Sequence, residues 1–586
     1  MLLRRMAAAV AVSAVLAGCG PGMRTTAYNL DFEYVAEEGR PAQWGLPDAP
    51  IFGYAASSCR TQKQHGAASL HLMQSDSGKR GWGFFWQELP AAPFAGHEVE
   101  LSGWIRTQDV TKGFADLYLS DGEIDYAVFA RDTLNRGVRN TTEWTHVSLK
   151  KRFGAHASTM RIGGILKGPG QAWFDNMELT IDGKPLRDTL IPAPKVRLTR
   201  ADKRELLKYV YPLRSCDCGE NDPHDLQVLD ALTGNGTLVA LGENTHGSSE
   251  IYRLKNRMIR HMAENMGFGI FSLEAGMSEC YRLDEYIHSG IGSPEYLLRT
   301  VIGMWIWCTQ EMLNLVEWMR VSNQFGHEIA CTGFDMQYPG ETAAILEAAF
   351  AHDGQALQLL GEIDAGLEKA LTYSNVNIPQ VDPAIAGNIV RALSQIESRI
   401  GQLPANEAEK AWLRQLVTLQ RQYLGQDGLF SRRDRCMAEN LLWIKRQNPA
   451  SRIVVWAHNG HIEKSGGKMG GFLKESLGEE YVNFGFTFYD GKYTGISPGN
   501  EERVQDAQRA CPGTLEYLLD KLGDPLFILD LKKMREEKSP ALTWLDRLRF
   551  RHIGAVKVEN EFPDRGITEK FDYLVFIRES TPSRPF

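Results

Sequence analysis

Hydrophobic and polar positions alternate in two different ways along this chain. Between about residues 28 and 183 the apolar runs are short, as in HEVELSGWIRT, ADLYLSDG, THVSLKKRF and STMRIGGILKG, with Gly and Asn turns between them. A period of two sends successive side chains to opposite faces of a strand. Closely spaced runs of this kind predict an all-β sandwich. A Pro-bearing linker covers 184–200, and the pattern then changes. From 201 to 586, apolar runs alternate with amphipathic stretches. TLVALGE, GIFSLEA, EIACTGFD, RIVVWAH, YVNFGFTF, LFILDL and YLVFIRE read as buried strands. After the first of them, Ile251, Leu254, Met258 and Met262 recur at helical spacing. This predicts an α/β domain with a mostly parallel sheet. Residues 340–435 break the rhythm with long, charged helical stretches, so a helical subdomain is expected to be inserted there.

A chain of 586 residues is too long for one ordinary core. Its net charge of −8 provides no basic footprint, which excludes nucleic acid as an expected partner. The first 18 residues carry Arg4 and Arg5, then an apolar stretch shorter than the roughly 20 residues that span a bilayer. That is a secretory signal. Eight cysteines remain once Cys19 is set aside. Cys280, Cys308, Cys331 and Cys436 lie in apolar patterns and are expected to be buried thiols. Cys216 and Cys218 are too isolated for a zinc site, and a disulfide from one of them is left open.

Leu16-Ala17-Gly18-Cys19 resembles the lipobox of bacterial lipoproteins. The resemblance implies acylation of Cys19 and a lipid-anchored protein of the bacterial cell envelope. Gly20, where inner-membrane lipoproteins often carry Asp, favours the outer membrane.

Ligands of open α/β sheets bind beyond the carboxyl ends of the strands. Four strand candidates end in ionisable residues: Glu243 and His246, Glu274, Asp335, and His458 with His461 close behind. Loops are polar, so one such strand would mean little; four of them predict a site at one sheet edge. Histidine suits a general base because its ordinary pKa of about 6.5 lies near working pH. Two blander readings stand beside this one: His246 as a helix cap, and Glu274 as a structural acid paired with Arg282.

LGENTHGSSEIYRLKNRMIRHMAENMGFGIFSLEAG resembles the opening block of the erythromycin esterase family. MWIWCTQEMLNLVEWMR, TGFDMQ, RRDRCMAENLLWI and VVWAHNGHI continue the resemblance in order. It implies an α/β hydrolase that opens an ester or lactone by attack of water. The implied catalytic residues are His246 as base, Glu243 or Glu274 orienting it, and His458 on the oxyanion or leaving group. His461, Lys255, Asp335 and Asp434 would support them or bind substrate. Lys255 departs from the family's usual Arg. No Gly-x-Ser-x-Gly elbow is found, which disfavours a serine nucleophile. No cofactor is expected. A divalent metal is the alternative, with Glu243, His246, Glu274 and His458 as ligands. The expected partners are a small ester or lactone, or a glycan-linked substrate, with the membrane reached through the lipid anchor. FDNMELTIDG resembles the last strand of carbohydrate-binding jelly rolls. Trp82, Trp86, Trp104, Trp144 and Trp173 could then stack on sugar, or simply fill the core. Two further function classes stay open: a metal-dependent hydrolase of a surface glycan or peptide, and a non-catalytic glycan-binding protein.

Overall fold

The computed structural model describes residues 25–586 apart from short internal stretches, the longest being 121–136. The expected signal segment 1–18 and Cys19 lie outside the described residues.

The N-terminal unit is an antiparallel sheet of β1 (Tyr54–Cys59), β2 (Ser69–Gln74), β3 (Trp82–Pro90), β4 (Glu98–Ser120), β5 (Val138–Arg152), β6 (Thr159–Lys167), β7 (Gln171–Ile181) and the short Lys184–Pro185. HEVELSGWIRT and ADLYLSDG, which read as two strands, are one 23-residue strand, β4. Its first part pairs with β7 and its end with β6, and the register slips near Asp109, where φ is +59°. A left-handed residue and slipped register bend a strand without reversing it. β3 and β7 are not sheet neighbours, yet Phe85 and Phe174 stand 4.8 Å apart, so the sheet folds over one core. Phe32, Tyr54, Leu101 and Ile105 complete that core. The tryptophans divide: Trp173 is buried and stacked on His71, whereas Trp86 is 37% exposed.

In the C-terminal domain, β8 (Val210–Pro212), β9 (Leu238–Leu241), β10 (Phe268–Gly276), β11 (Ala330–Asp335), β12 (Arg452–Trp456), β13 (Tyr481–Thr494), β14 (Leu526–Asp530) and β15 (Tyr573–Ser580) lie in the order β8-β14-β15-β13-β9-β12-β10-β11. Every neighbouring pair from β15 to β11 is parallel. Along this order only the β8–β14 and β14–β15 pairs are antiparallel, and the short Val504–Asp506 adds antiparallel to the end of β13. The strands read as continuous apolar runs because both faces are covered. Leu238, Ala240, Ile453 and Val455 enter one core, while Val239, Leu241, Val454 and Trp456 enter the other.

Helix α1 (Ser249–Met266) follows β9; its four periodic residues Ile251, Leu254, Met258 and Met262 are buried. Helices α2 (Met277–Ser289) and α3 (Gln310–Gln324) lie between β10 and β11. Five more, α4 (Thr342–Ala349), α5 (Gly354–Ala370), α6 (Pro383–Ile400), α7 (Glu407–Leu424) and α8 (Phe430–Gln447), separate β11 from β12. The last runs well past 435, the limit expected from the charge pattern. β10, β11 and β12 lie to one side of β9, and β13 crosses to the other. This reversal of strand order leaves a crevice at the carboxyl end of β9.

Candidate active site

β9, β12, β10 and β11 are consecutive neighbours, so the four expected strand ends do converge. Leu241 and Leu273 both pair with Trp456, which puts Glu243, Glu274 and His458 just past one level of the sheet. The loop after β9 is packed too tightly for side chains at its two glycines. A Cβ on Gly242 would run into Asn459 Oδ1, and one on Gly247 into the Thr494 carbonyl. His246 N donates to Gly554 O (3.2 Å), and Tyr252 Oη donates to His246 O (2.8 Å). Ser248, not His246, caps α1, with Ile251 N at 3.4 Å from its hydroxyl.

His246 Nδ1 lies 2.7 Å from Glu243 Oε1. A carboxylate only accepts, so Nδ1 carries the proton and the Nε2 lone pair is left free to take one. The other Glu243 oxygen accepts from Lys255 Nζ (2.8 Å) and Trp456 Nε1 (2.7 Å). Glu243 and Lys255 are fully buried. Burial pushes the Lys255 ammonium down to about 8, against the pull of Glu243. Lys255 also lies 4.4 Å from the Trp456 ring centre. Arg253 and Arg257 turn away to Asp217 and Asp225.

Glu274 serves the other flank. Its Oε2 accepts from His458 N (2.8 Å), and its Oε1 meets Arg433 Nη2 (3.1 Å) and His461 Nε2 (3.3 Å). Burial works to raise this carboxyl, but His461, Arg433 and His246 hold it well below the usual carboxylate range. Arg433 also donates to both oxygens of Asp335 (3.1 and 2.6 Å). Arg282, the alternative partner for Glu274, binds Glu285 and Glu341 instead. Asp434 Oδ1 holds His461 Nδ1 at 2.8 Å. Burial disfavours charge on His461, yet Asp434 and Glu274 push it up to about 9, so at neutral pH it is an imidazolium. Arg433 Nη1 comes within 3.2 Å of the same ring; the three carboxylates around the two cations offset their repulsion.

His458 lies between the flanks, its ring centre 5.1 Å from that of His246. Its Nδ1 accepts from Gly460 N (3.0 Å), so the ring hydrogen is on Nε2, which is buried and has no hydrogen-bond partner. Burial, then His552, His246 and His461, keep its pKa well below the ordinary value, and the ring stays neutral.

All eight expected residues therefore fall in one connected set, with Asp335 and Asp434 behind Arg433 and His461. Three participants went unread in the sequence. Arg433 is one more charge in RRDRC, and Trp456 is one more apolar residue in a strand. His552, whose ring centre lies 4.7 Å from that of His458, arrives on an irregular segment tied to the His246 loop by a Thr245–Gly554 bridge. The thiols depart in one place: Cys280, Cys331 and Cys436 are buried, but Cys308 is half-buried. Cys216 and Cys218 are both free.

The alternative metal set does not fit an ion. Both Glu243 oxygens are already taken by N–H donors, one of them an ammonium, and both Glu274 oxygens are taken as well. Among the described residues, no group of three His, Cys, Asp or Glu side chains is placed to hold a metal.

Residues 263–580, more than half of the chain, match the family model described as Erythromycin esterase. That span holds Glu274, Arg433, His458 and His461; Glu243, His246 and Lys255 precede it. YbfO of Bacillus subtilis (strain 168), named as a hydrolase, is 23% identical over 407 residues, covering 63% of this chain and 89% of that protein. Erythromycin esterase type II of Escherichia coli is 24% identical over 314 residues, 47% of this chain and 74% of that protein. A solved Bacillus cereus structure shares the fold, with a TM-score of 0.57 at 23% identity, over 66% of this chain and 98% of that one.

Proposed function

We propose that this chain, which belongs to the erythromycin esterase family, hydrolyses an ester or lactone by direct attack of water. The observation that carries this reading is the 2.7 Å contact between His246 Nδ1 and a Glu243 carboxylate that two further buried donors hold in place. His246 Nε2 takes a proton from water as the water oxygen bonds to the carbonyl carbon. Glu243 fixes the ring and stabilises the imidazolium that forms. Neutral His458 donates from Nε2 to the developing oxyanion. As the C–O bond breaks, the His246 imidazolium returns its proton to the leaving alkoxide. Glu274, Arg433 and His461 act through His458 by holding its backbone. No resident metal takes part in this scheme, because the donor set is consumed by protein contacts.

The substrate class proposed is a small ester or lactone, or an ester on a glycan. A glycan ester is favoured by the partly exposed Trp86 of the N-terminal unit. Attachment to the envelope through Cys19 is proposed on the sequence alone.

The test is turnover on a panel of neutral esters and lactones, with and without chelator. His246→Ala should lose at least about 10³-fold in kcat/KM, and chelator should have no effect. Undiminished turnover by His246→Ala would rule out the mechanism. Loss on chelation would favour the metal reading.

A further inference from the structure

One cleft, of about 340 Å³, lies against the His246 loop and takes no part in this chemistry. Thr494 and Ser583 line it, and their N–H groups both donate to Gly247 O (2.9 and 2.8 Å), so this wall is one residue from His246. Arg299 and Arg503 also line it, and among the described residues neither has a carboxylate partner. The Arg299 guanidinium instead lies 5.4 Å from the Phe586 ring centre. Burial raises the nearby Cys308 thiol, and both arginines oppose it. Thr309, the N-cap of α3, also lines the cleft, its hydroxyl accepting from Met312 N (3.2 Å). Ser583, a lining residue, is only 2% exposed, and its buried hydroxyl has no hydrogen-bond partner among the described residues.

Arg299 and Arg503 are both exposed at this cleft and, among the described residues, neither is neutralised by a carboxylate, so two guanidinium groups are open to an incoming anion. A single oxyanion group would pair with both, since guanidinium matches carboxylate, sulfate and phosphate geometry. Trp305 adds an apolar surface for the carbon skeleton bearing that group. We propose that the cleft binds a carboxylate, sulfate or phosphate group carried by the substrate away from its scissile bond. Assignment to the substrate rests on the hydrolase reading above; the anion site itself does not.

Two measurements on the full chain separate these layers. In the first, inorganic sulfate is titrated into wild type and into Arg299→Gln/Arg503→Gln. The double variant should bind at least about tenfold more weakly; equal binding overturns the site. The second compares kcat/KM for a hemisuccinate ester and an acetate ester of one alcohol. The hemisuccinate-to-acetate ratio should fall about tenfold in the double variant. An unchanged ratio alongside weakened sulfate binding would overturn the substrate assignment, leaving a site for free anions. If wild type hydrolyses neither ester, the hydrolase reading has failed, and sulfate binding still decides the site.

Discussion

The two flanks of the site each place a buried carboxylate beside cations and an imidazole, with opposite results. Glu243 grips a ring nitrogen of His246 directly and shares its charge with Lys255, which burial has brought down to about 8. Glu274 grips the backbone of His458 and two strong cations, Arg433 and the His461 imidazolium. The first arrangement leaves the His246 Nε2 lone pair free to take a proton; the second leaves a neutral ring whose Nε2 hydrogen is free to donate. What a buried carboxylate does to a neighbouring imidazole therefore depends on whether it touches the ring or the chain that carries it.

The hardest blow to this contrast is Glu243→Ala, which strands the Lys255 ammonium in the core. We expect a loss of about 3–5 kcal/mol in stability, read by denaturant unfolding. The double variant Glu243→Gln/Lys255→Met removes both charges and should recover most of that stability, since replacing both members of a buried pair is often neutral. It should not recover turnover. Recovery of activity would mean that Glu243 serves the fold and not the base.

On the other flank, His458→Gln leaves Glu274 with its backbone and cationic partners. We expect kcat to fall about 10²–10³-fold, the usual cost of one oxyanion donor, with little change in melting temperature. A change confined to KM would assign His458 to ground-state binding instead.

These flanks were unequally legible. Strands covered on both faces are apolar throughout, so their first ionisable residue marks the exit, and Glu243, Glu274, Asp335 and His458 could be read that way. Arg433 sits in an amphipathic helix where charge is ordinary, and Trp456 looks like core although its indole N–H bonds Glu243. His552 comes from a segment without periodicity, placed by backbone bonds between residues some 300 positions apart. In the N-terminal unit, alternation showed that β4 is strand but not that it stays unbroken through Asp109. A bend and a turn look alike when only polarity is read.

A pH series separates the flanks by sign. His461 holds its proton more tightly when folded, up to about 9 against about 6.5 for free imidazole. Its contribution is therefore fully present below pH ~6.5 and is lost as pH rises toward 9. Lys255 is depressed to about 8 and acts in reverse, favouring the folded state increasingly above that pH. Of these two, only His461 operates between pH 6.5 and 8, on the order of 2 kcal/mol, and Glu279, raised to about 7 by burial, adds a loss of the same sign at the bottom of that window. Wild type should lose melting temperature across that window, and His461→Gln should show a flatter slope. Equal slopes would remove His461 from the cationic role given to it here.

The smallest effect tests whether the Glu243 flank holds itself in place. Ser248 caps α1 two residues beyond His246 and receives the Ser580 hydroxyl at 2.8 Å. Ser248→Ala should cost about 1 kcal/mol, as lost N-caps do. The His246 loop is also tied by backbone bonds from His246 N to Gly554 O and from Thr494 N and Ser583 N to Gly247 O. Those ties do not involve the cap, so kcat/KM should stay within about threefold of wild type. A drop beyond about tenfold at the same modest stability loss would show that the cap aligns His246 with Glu243. The base would then depend on the start of α1, and Glu243 with its three donors would not suffice to position it.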